Sequence, residues 1–429
     1  MDILSTLIAI YCDVHKRRDV AAYIFLSLLS SFWNTLREFS WPPLPRRMAD
    51  LAIVVGIVIV FNTLRTRKPD QTPGTVVNWL FLLAAVNFCV SAILALLANI
   101  PLSDIYKTMR FFYGSVLTFL VLASLDSGEL KSLLKYIVIT NIVICVLILI
   151  QFKTGIAFFK YDLRNEVYSE LGTYGLYPPL TVWLSFVLLV SPYGNSVSAL
   201  WRYAGIVLCL FITALTMIRS FTSAIVISAG ISILASLNLK KKNLIMVWSL
   251  LLILGGAFRL IYGTAIYARL FAENDASWHL RVEYLQDAMK ICNADSPYWG
   301  GSLENVAVDE YGATIVTGER ENILSSSDHC GAFFLKFGWF GAISWLLLLW
   351  LPPLMIWKDR RQSPFMVPLL LCSFVYLPIS ASCSNILLRP YCFIVYALLY
   401  FCTLKIDPEP SFQARNIESD TAISDKETA

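Results

Sequence analysis

Residues 75 to 99 read TVVNWLFLLAAVNFCVSAILALLAN, a run without one charged side chain. At about 1.5 Å per residue, a helix of that length crosses the ~30 Å hydrocarbon core of a bilayer, where only internally hydrogen-bonded backbone is tolerated. Scanning outward finds comparable runs at 20–36, 48–64, 104–124, 132–152, 177–192, 199–217, 220–237, 243–262, 330–351, 365–384 and 387–404. The expectation is an all-α polytopic membrane protein with about 12 transmembrane helices. Composition agrees over the whole 429-residue chain, which is 57% hydrophobic and 15% charged with a mean hydropathy of +0.64. Soluble domains are about 45–50% apolar and about 25% charged, so a soluble globular enzyme is excluded.

The net charge of +4 is too small to imply a nucleic-acid partner, and the cations fall in short runs between apolar stretches. Of the ten cysteines, Cys89, Cys145, Cys209, Cys372, Cys392 and Cys402 sit inside apolar runs with no metal-ligand spacing. Cys292 and Cys330 lie in or beside a polar loop, where a disulfide stays open.

Short cytoplasmic loops are enriched in Lys and Arg. Placing His15 to Arg18 inside, alternating crossings also put Arg65 to Lys68, Lys131, Lys240 to Lys242, Lys358 to Arg361 and the C-terminal tail inside. Of the strong basic clusters, only Arg46 and Arg47, in the Pro-rich connection after Trp41, fall on the wrong side. The run Ile3 to Cys12 is too short to span and lacks a small-residue cleavage site, so it reads as an interfacial segment. The expected organisation is a helix bundle over 1–262, a large extracytoplasmic loop over 263–329, further spans over 330–404 and a polar, disordered cytoplasmic tail over 405–429. Residues 152–177 form a second outer loop. No internal repeat of the kind that builds transporters is visible, and one outsized external loop suggests an enzyme.

Three features can carry chemistry. Arg219 interrupts about 38 apolar residues between Arg202 and Lys240, at the outer turn between two spans. It reads either as a snorkelling helix-end anchor or as a planar fork for phosphate oxygens at the headgroup plane. In the loop, Trp278, Val282, Leu285 and Met289 share one helical face with Arg281 beside it, the pattern of an amphipathic helix lying on the membrane or on the bundle. A solvated helix is the alternative, although Glu283 and Asp287 are at separations from Arg281 that do not face it. Finally, Ser325 to His329 precede the apolar run from Cys330. Ser327 or Asp328 is a good N-cap, which places His329 in the first turn of a span entering from outside. The helix N-terminus favours neutral imidazole while Asp328 opposes it, and a structural histidine is the competing reading. Gly300 and Gly301 follow Pro297, Tyr298 and Trp299 and mark a turn where backbone can approach a ligand. The rest of the loop is acidic, with Glu304, Asp309, Glu310, Glu319 and Glu321 leaving a carboxylate base open. Metalloprotease, P-loop and nucleophile-elbow motifs are absent.

The order and sidedness of these pieces resemble the bacterial O-antigen ligase and O-antigen polymerase superfamily. The matching segments are Thr216 to Ser220, Trp278 to Met289 with Ser296 to Glu304, and Asp328 to Gly341, the last reading DHCGAFFLKFGWFG. The resemblance implies a metal-independent glycosyltransferase without cofactor in the bacterial inner membrane. Its donor would be an undecaprenyl-pyrophosphate-linked saccharide and its acceptor a glycan. Arg219 and Arg281 would bind the pyrophosphate and His329 would act on the acceptor hydroxyl, with Gly300, Gly301 and Asp328 as loop contacts. Membrane lipids, a chain-length regulator and a flippase are the partners it implies. Many ligases carry Ser before the junction Arg and Asn after the His, whereas this chain has Ile218 and Cys330. That departure favours a polymerase over a ligase transferring to lipid A-core. A flippase, the reading from another class, would place its charges along a central path rather than at the outer surface.

Overall fold

The computed structural model describes residues 20, 48–66, 75–97, 99–154, 180–215, 219–235, 285–286, 289–290, 292–293, 298–299, 306–308, 314–316, 330–381 and 390–406. These are helical apart from turns, connections and one small ribbon. In chain order the helices are α1 (Met48–Thr66), α2 (Thr75–Leu97), α3 (Leu102–Ala123), α4 (Ser127–Thr154), α5 (Leu180–Val190), α6 (Ala199–Leu215), α7 (Arg219–Ala235), α8 (Cys330–Arg360), α9 (Met366–Leu371), α10 (Leu377–Ala381) and α11 (Pro390–Lys405). A 3₁₀ turn at Pro192–Ser196 joins α5 to α6, and a π-helical segment at Cys372–Tyr376 joins α9 to α10.

Three segments are long and apolar enough to cross a membrane: Val77–Leu97, Ser127–Ile150 and Phe337–Arg360. Ile53–Asn62, Ala199–Thr213, Phe221–Ser232, Met366–Ile379 and Phe393–Lys405 are apolar but shorter. The described residues thus give fewer full-length spans than the twelve expected. Helix α5 has only 11 residues, and α3 carries Asp104, Lys107 and Arg110 in its first half. The expected spans at 243–262 and at 20–36, save for Val20, lie outside the described residues. The fold class is all-helical as expected, with one small ribbon in the large loop, where β1 (Val306–Val308) pairs antiparallel with β2 (Thr314–Val316), Ala307 opposite Ile315. Strand β1 lies against α3.

Two helices are apolar all round and buried all round, as that pattern requires. Helix α5 is buried from Val182 to Val190, and α11 from Val395 to Thr403. Around α11 the aromatic rings interlock: Phe119 of α3 lies 4.7 Å from Phe401 and 4.6 Å from Phe81 of α2, and Trp345 of α8 meets Phe393 edge-on at 5.4 Å. Tyr396 donates to the Leu348 carbonyl at 2.8 Å, which satisfies a buried hydroxyl. Around α5, Trp183 stacks on Tyr376 of the π segment at 4.4 Å and donates to Ser228 Oγ of α7 at 3.2 Å.

Polarity runs opposite to that of a water-soluble core. Helix α2 buries Asn87 and Ser91 while exposing Trp79, Leu82, Val86, Ile93 and Leu97. In α4, buried Asn141 reaches Cys145 Sγ at 3.6 Å and, across the seam, Cys209 Sγ of α6 at 3.5 Å. Buried hydroxyls such as Thr118, Thr213, Ser373 and Thr403 return to carbonyls of their own helices at 2.7–3.0 Å. This is how polar side chains are accommodated where water is absent.

One end of the bundle is closed by cations. Arg202 donates to the last carbonyls of α5, at 2.8 Å to Leu189 and 3.4 Å to Val190. Lys405 donates to the carbonyls of Ala123 and Leu125 at 2.5 and 2.7 Å. Helix C-termini carry unsatisfied carbonyls and partial negative charge, so both contacts are favourable. Tyr193 packs on Phe365 at 5.5 Å, placing the α5–α6 and α8–α9 connections side by side, and burial pushes its hydroxyl up to about 12. Under the alternation expected from the sequence, all of these lie on the basic, inner side. Lys405→Met is expected to cost about 1.5–3 kcal/mol through the loss of charge-assisted bonds. A lowered thermal midpoint in detergent, rescued by Lys405→Arg, is the check.

Candidate functional site

At the opposite end, the helix from Cys330 is interrupted. Gly338 has φ 62° and ψ −166°, a conformation essentially reserved for glycine. The expectation of a continuous span over 330–351 is corrected: a helix of about two turns from Cys330 to Phe337 meets the apolar span Phe337–Arg360 at a break. A break frees backbone groups that must find other partners. Phe337 would offer its carbonyl to Gly341 in an unbroken helix, and here it accepts from Asn87 Nδ2 of α2 at 3.3 Å. Phe340 would commit its N–H to Lys336, and here it donates to the Tyr298 carbonyl of the large loop at 3.1 Å.

The loop is fastened there by further contacts. Ser91 Oγ lies 2.9 Å from the Trp299 carbonyl and 3.0 Å from that of Asn87, so its single proton serves the loop or its own helix. Trp339 Nε1 donates to Asn293 Oδ1 at 2.9 Å. Phe340 packs on Trp299 at 5.0 Å and on Tyr298 at 5.7 Å, while Phe88 stacks on Phe337 at 5.7 Å. Gly341 permits the approach, since a Cβ there would lie 2.2 Å from Phe337 Cβ and 2.8 Å from Asn87 Oδ1. Asn87→Leu removes the donor and leaves the Phe337 carbonyl uncompensated, a cost of about 1–3 kcal/mol. Limited proteolysis between 293 and 301 is expected to accelerate in this variant, and an unchanged cleavage rate would sink the argument.

Of the amphipathic stripe expected over Trp278 to Met289, Trp278 and Val282 lie outside the described residues. Backbone at 285–286, 289–290 and 292–293 is helical, with Leu285 and Met289 partly buried, Cys292 buried, and Gln286, Lys290 and Asn293 exposed. The second and third motif segments, far apart in sequence, therefore meet where the Tyr298–Trp299 turn sits on Phe337 to Phe340.

Arg219 is the first residue of α7, three residues of connection after α6 ends at Leu215. A cation at a helix N-terminus opposes the helix dipole by about 0.3–1 kcal/mol, a cost that an anion bound beside the free N–H groups reverses. The side chain of Arg219, together with Arg281, Gly300, Gly301, Asp328 and His329, lies outside the described residues. His329 immediately precedes α8 in the chain. Among the described residues no cluster of His, Cys, Asp or Glu fits a metal ion.

No family model, curated protein or solved structure matches this chain. The resemblance to the ligase and polymerase superfamily accordingly rests on the three short motifs and their arrangement. Sequence reasoning missed Asn87, Ser91 and Gly338. The signal was present: an Asn and a Ser one turn apart in the apolar run 75–99, and a glycine pair within FGWFG. Polar side chains inside a span are expensive and need a partner, here a broken backbone.

Proposed function

We propose that the protein is an inner-membrane glycosyltransferase that polymerises undecaprenyl-pyrophosphate-linked oligosaccharide repeat units on the outer face. The observation that carries this reading is the docking of the Tyr298–Trp299 turn onto the break at Gly338. It brings residues of the large loop, whose sequence carries Arg281, against Phe337–Phe340, about eight residues after His329 in the chain. In the reaction, an acceptor-sugar hydroxyl attacks the anomeric carbon of the donor. His329 takes the hydroxyl proton, the anomeric carbon–oxygen bond to phosphate breaks, and undecaprenyl pyrophosphate leaves with the bonding electrons. Arg219 and Arg281 stabilise the departing charge, with Gly300, Gly301 and Asp328 contacting the saccharide. Ile218 and Cys330 favour the polymerase over its ligase sibling. The partners are the lipid-linked donor and acceptor, with a chain-length regulator and a flippase acting in the same membrane.

The test is the glycan profile, resolved by chain length, of a deletion strain and the same strain complemented with the wild-type chain. Single repeat units on lipid A-core without a ladder, restored by complementation, mean a polymerase. Bare core with long lipid-linked chains means a ligase, and an unchanged profile removes the glycosyltransferase reading. Arg281→Lys is expected to cut polymer strongly, because an ammonium keeps the charge but not the bidentate fork. Wild-type polymer from that variant would refute the phosphate clamp.

A further inference from the structure

The exposed apolar side chains of α8, from Phe340, Ile343, Leu346 and Leu347 to Leu354, Met355 and Trp357, form one broad stripe, while Phe337, Ala342, Trp345, Leu348 and Leu349 face inward. Since Phe337–Arg360 is long and apolar enough to cross a membrane, that stripe is its lipid-facing side. Phe340 is its uppermost member and is 45% exposed. Tyr298, 61% exposed, packs directly on it, with Trp299 on the same ring. The turn of the large loop is thus a continuation of the lipid face of α8, not a projection into water.

We propose that Tyr298, Trp299 and Phe340 form an interfacial anchor that seats the large loop in the headgroup layer of the bilayer. This inference rests on the reading of α8 as a membrane span. Tyrosine and tryptophan have an apolar body and a polar edge, and they concentrate at this depth. A saccharide platform would pair such rings with hydrogen-bonding side chains aimed outward. Among the described residues the neighbouring donors are already committed: Asn87 to the Phe337 carbonyl, Trp339 to Asn293 on the exposed side of the loop, and Ser91 within reach of the Trp299 and Asn87 carbonyls. The anchor fixes the height of the loop at the plane where the head of a lipid-linked molecule travels.

The test places the photo-crosslinking residue p-benzoylphenylalanine at one position at a time in the full chain, in liposomes of phosphatidylethanolamine and phosphatidylglycerol. Tyr298→p-benzoylphenylalanine exchanges one exposed aromatic ring for another and leaves the fold intact. Leu347 on the lipid stripe and Gln286 on the exposed side of the loop helix are the reference positions. Lipid adducts at 298 and 347, with none at 286, are the expected result. Adducts at 347 but none at 298, or crosslinks from 298 to a second copy or to added oligosaccharide, overturn the anchor alone. Adducts at all three positions also overturn it, because a loop immersed in lipid throughout needs no anchor. A bare 347 removes the membrane-span reading, and the anchor with it.

Discussion

Gly338→Ala is expected to release the large loop and abolish polymer formation without preventing insertion of the chain. A side chain at φ 62° and ψ −166° is strained by about 1–3 kcal/mol. An alternative is close at hand, because straightening the helix returns the Phe337 carbonyl and the Phe340 N–H to partners within α8. Asn87, Ser91 and the Tyr298–Trp299 turn then lose what they hold. A bias of 1–3 kcal/mol moves the docked-to-undocked ratio by roughly 5- to 150-fold. The variant should insert at wild-type level, expose residues 293 to 301 to protease and lose the glycan ladder. Protection equal to wild type would show that the break does not depend on glycine.

His329→Ala is expected to remove the polymer ladder while leaving protein level, insertion and loop protection unchanged. General-base assistance is typically worth about 10²–10⁴ in rate, so single repeat units should accumulate. The comparison with Gly338→Ala separates chemistry from positioning: the glycine variant alters protease sensitivity, and the histidine variant does not. A full ladder from His329→Ala would leave a structural histidine, the competing reading of the Ser325–His329 segment.

The positions of the helices were legible because twenty apolar residues in a row have few other uses. The run read at 75–99 is a helix over Thr75–Leu97, and that at 48–64 a helix over Met48–Thr66. The start of α4 was read five residues late, since Asp126 and Glu129 form a reciprocal capping box ahead of the apolar run, at 2.9 and 2.8 Å. Hydropathy averages over a window and is blind to one backbone dihedral, so the break at Gly338 passed unseen inside an apolar segment. The π segment at Cys372–Tyr376 was hidden in the run 365–384 for the same reason. Of the candidate site, Arg219 was placed correctly at a helix junction because charge in an apolar stretch is conspicuous. The fastening of the loop was not legible, because its acceptors are the carbonyls of Phe337, Tyr298 and Trp299, and backbone atoms carry no signature in a sequence.

Helix α11 is the last of the described helices, yet it stands at the centre of the aromatic cluster. A ribosome delivers it after α2, α3 and α8. Until about residue 405 has emerged, α2, α3 and α8 are inserted around a gap that no earlier segment fills, and the end of α3 lacks the Lys405 ammonium. Assembly of this bundle therefore finishes with a single late step. A chain that stopped before Phe393 would leave Phe119, Trp345 and the Leu348 carbonyl without the rings and hydroxyl they meet in the finished bundle.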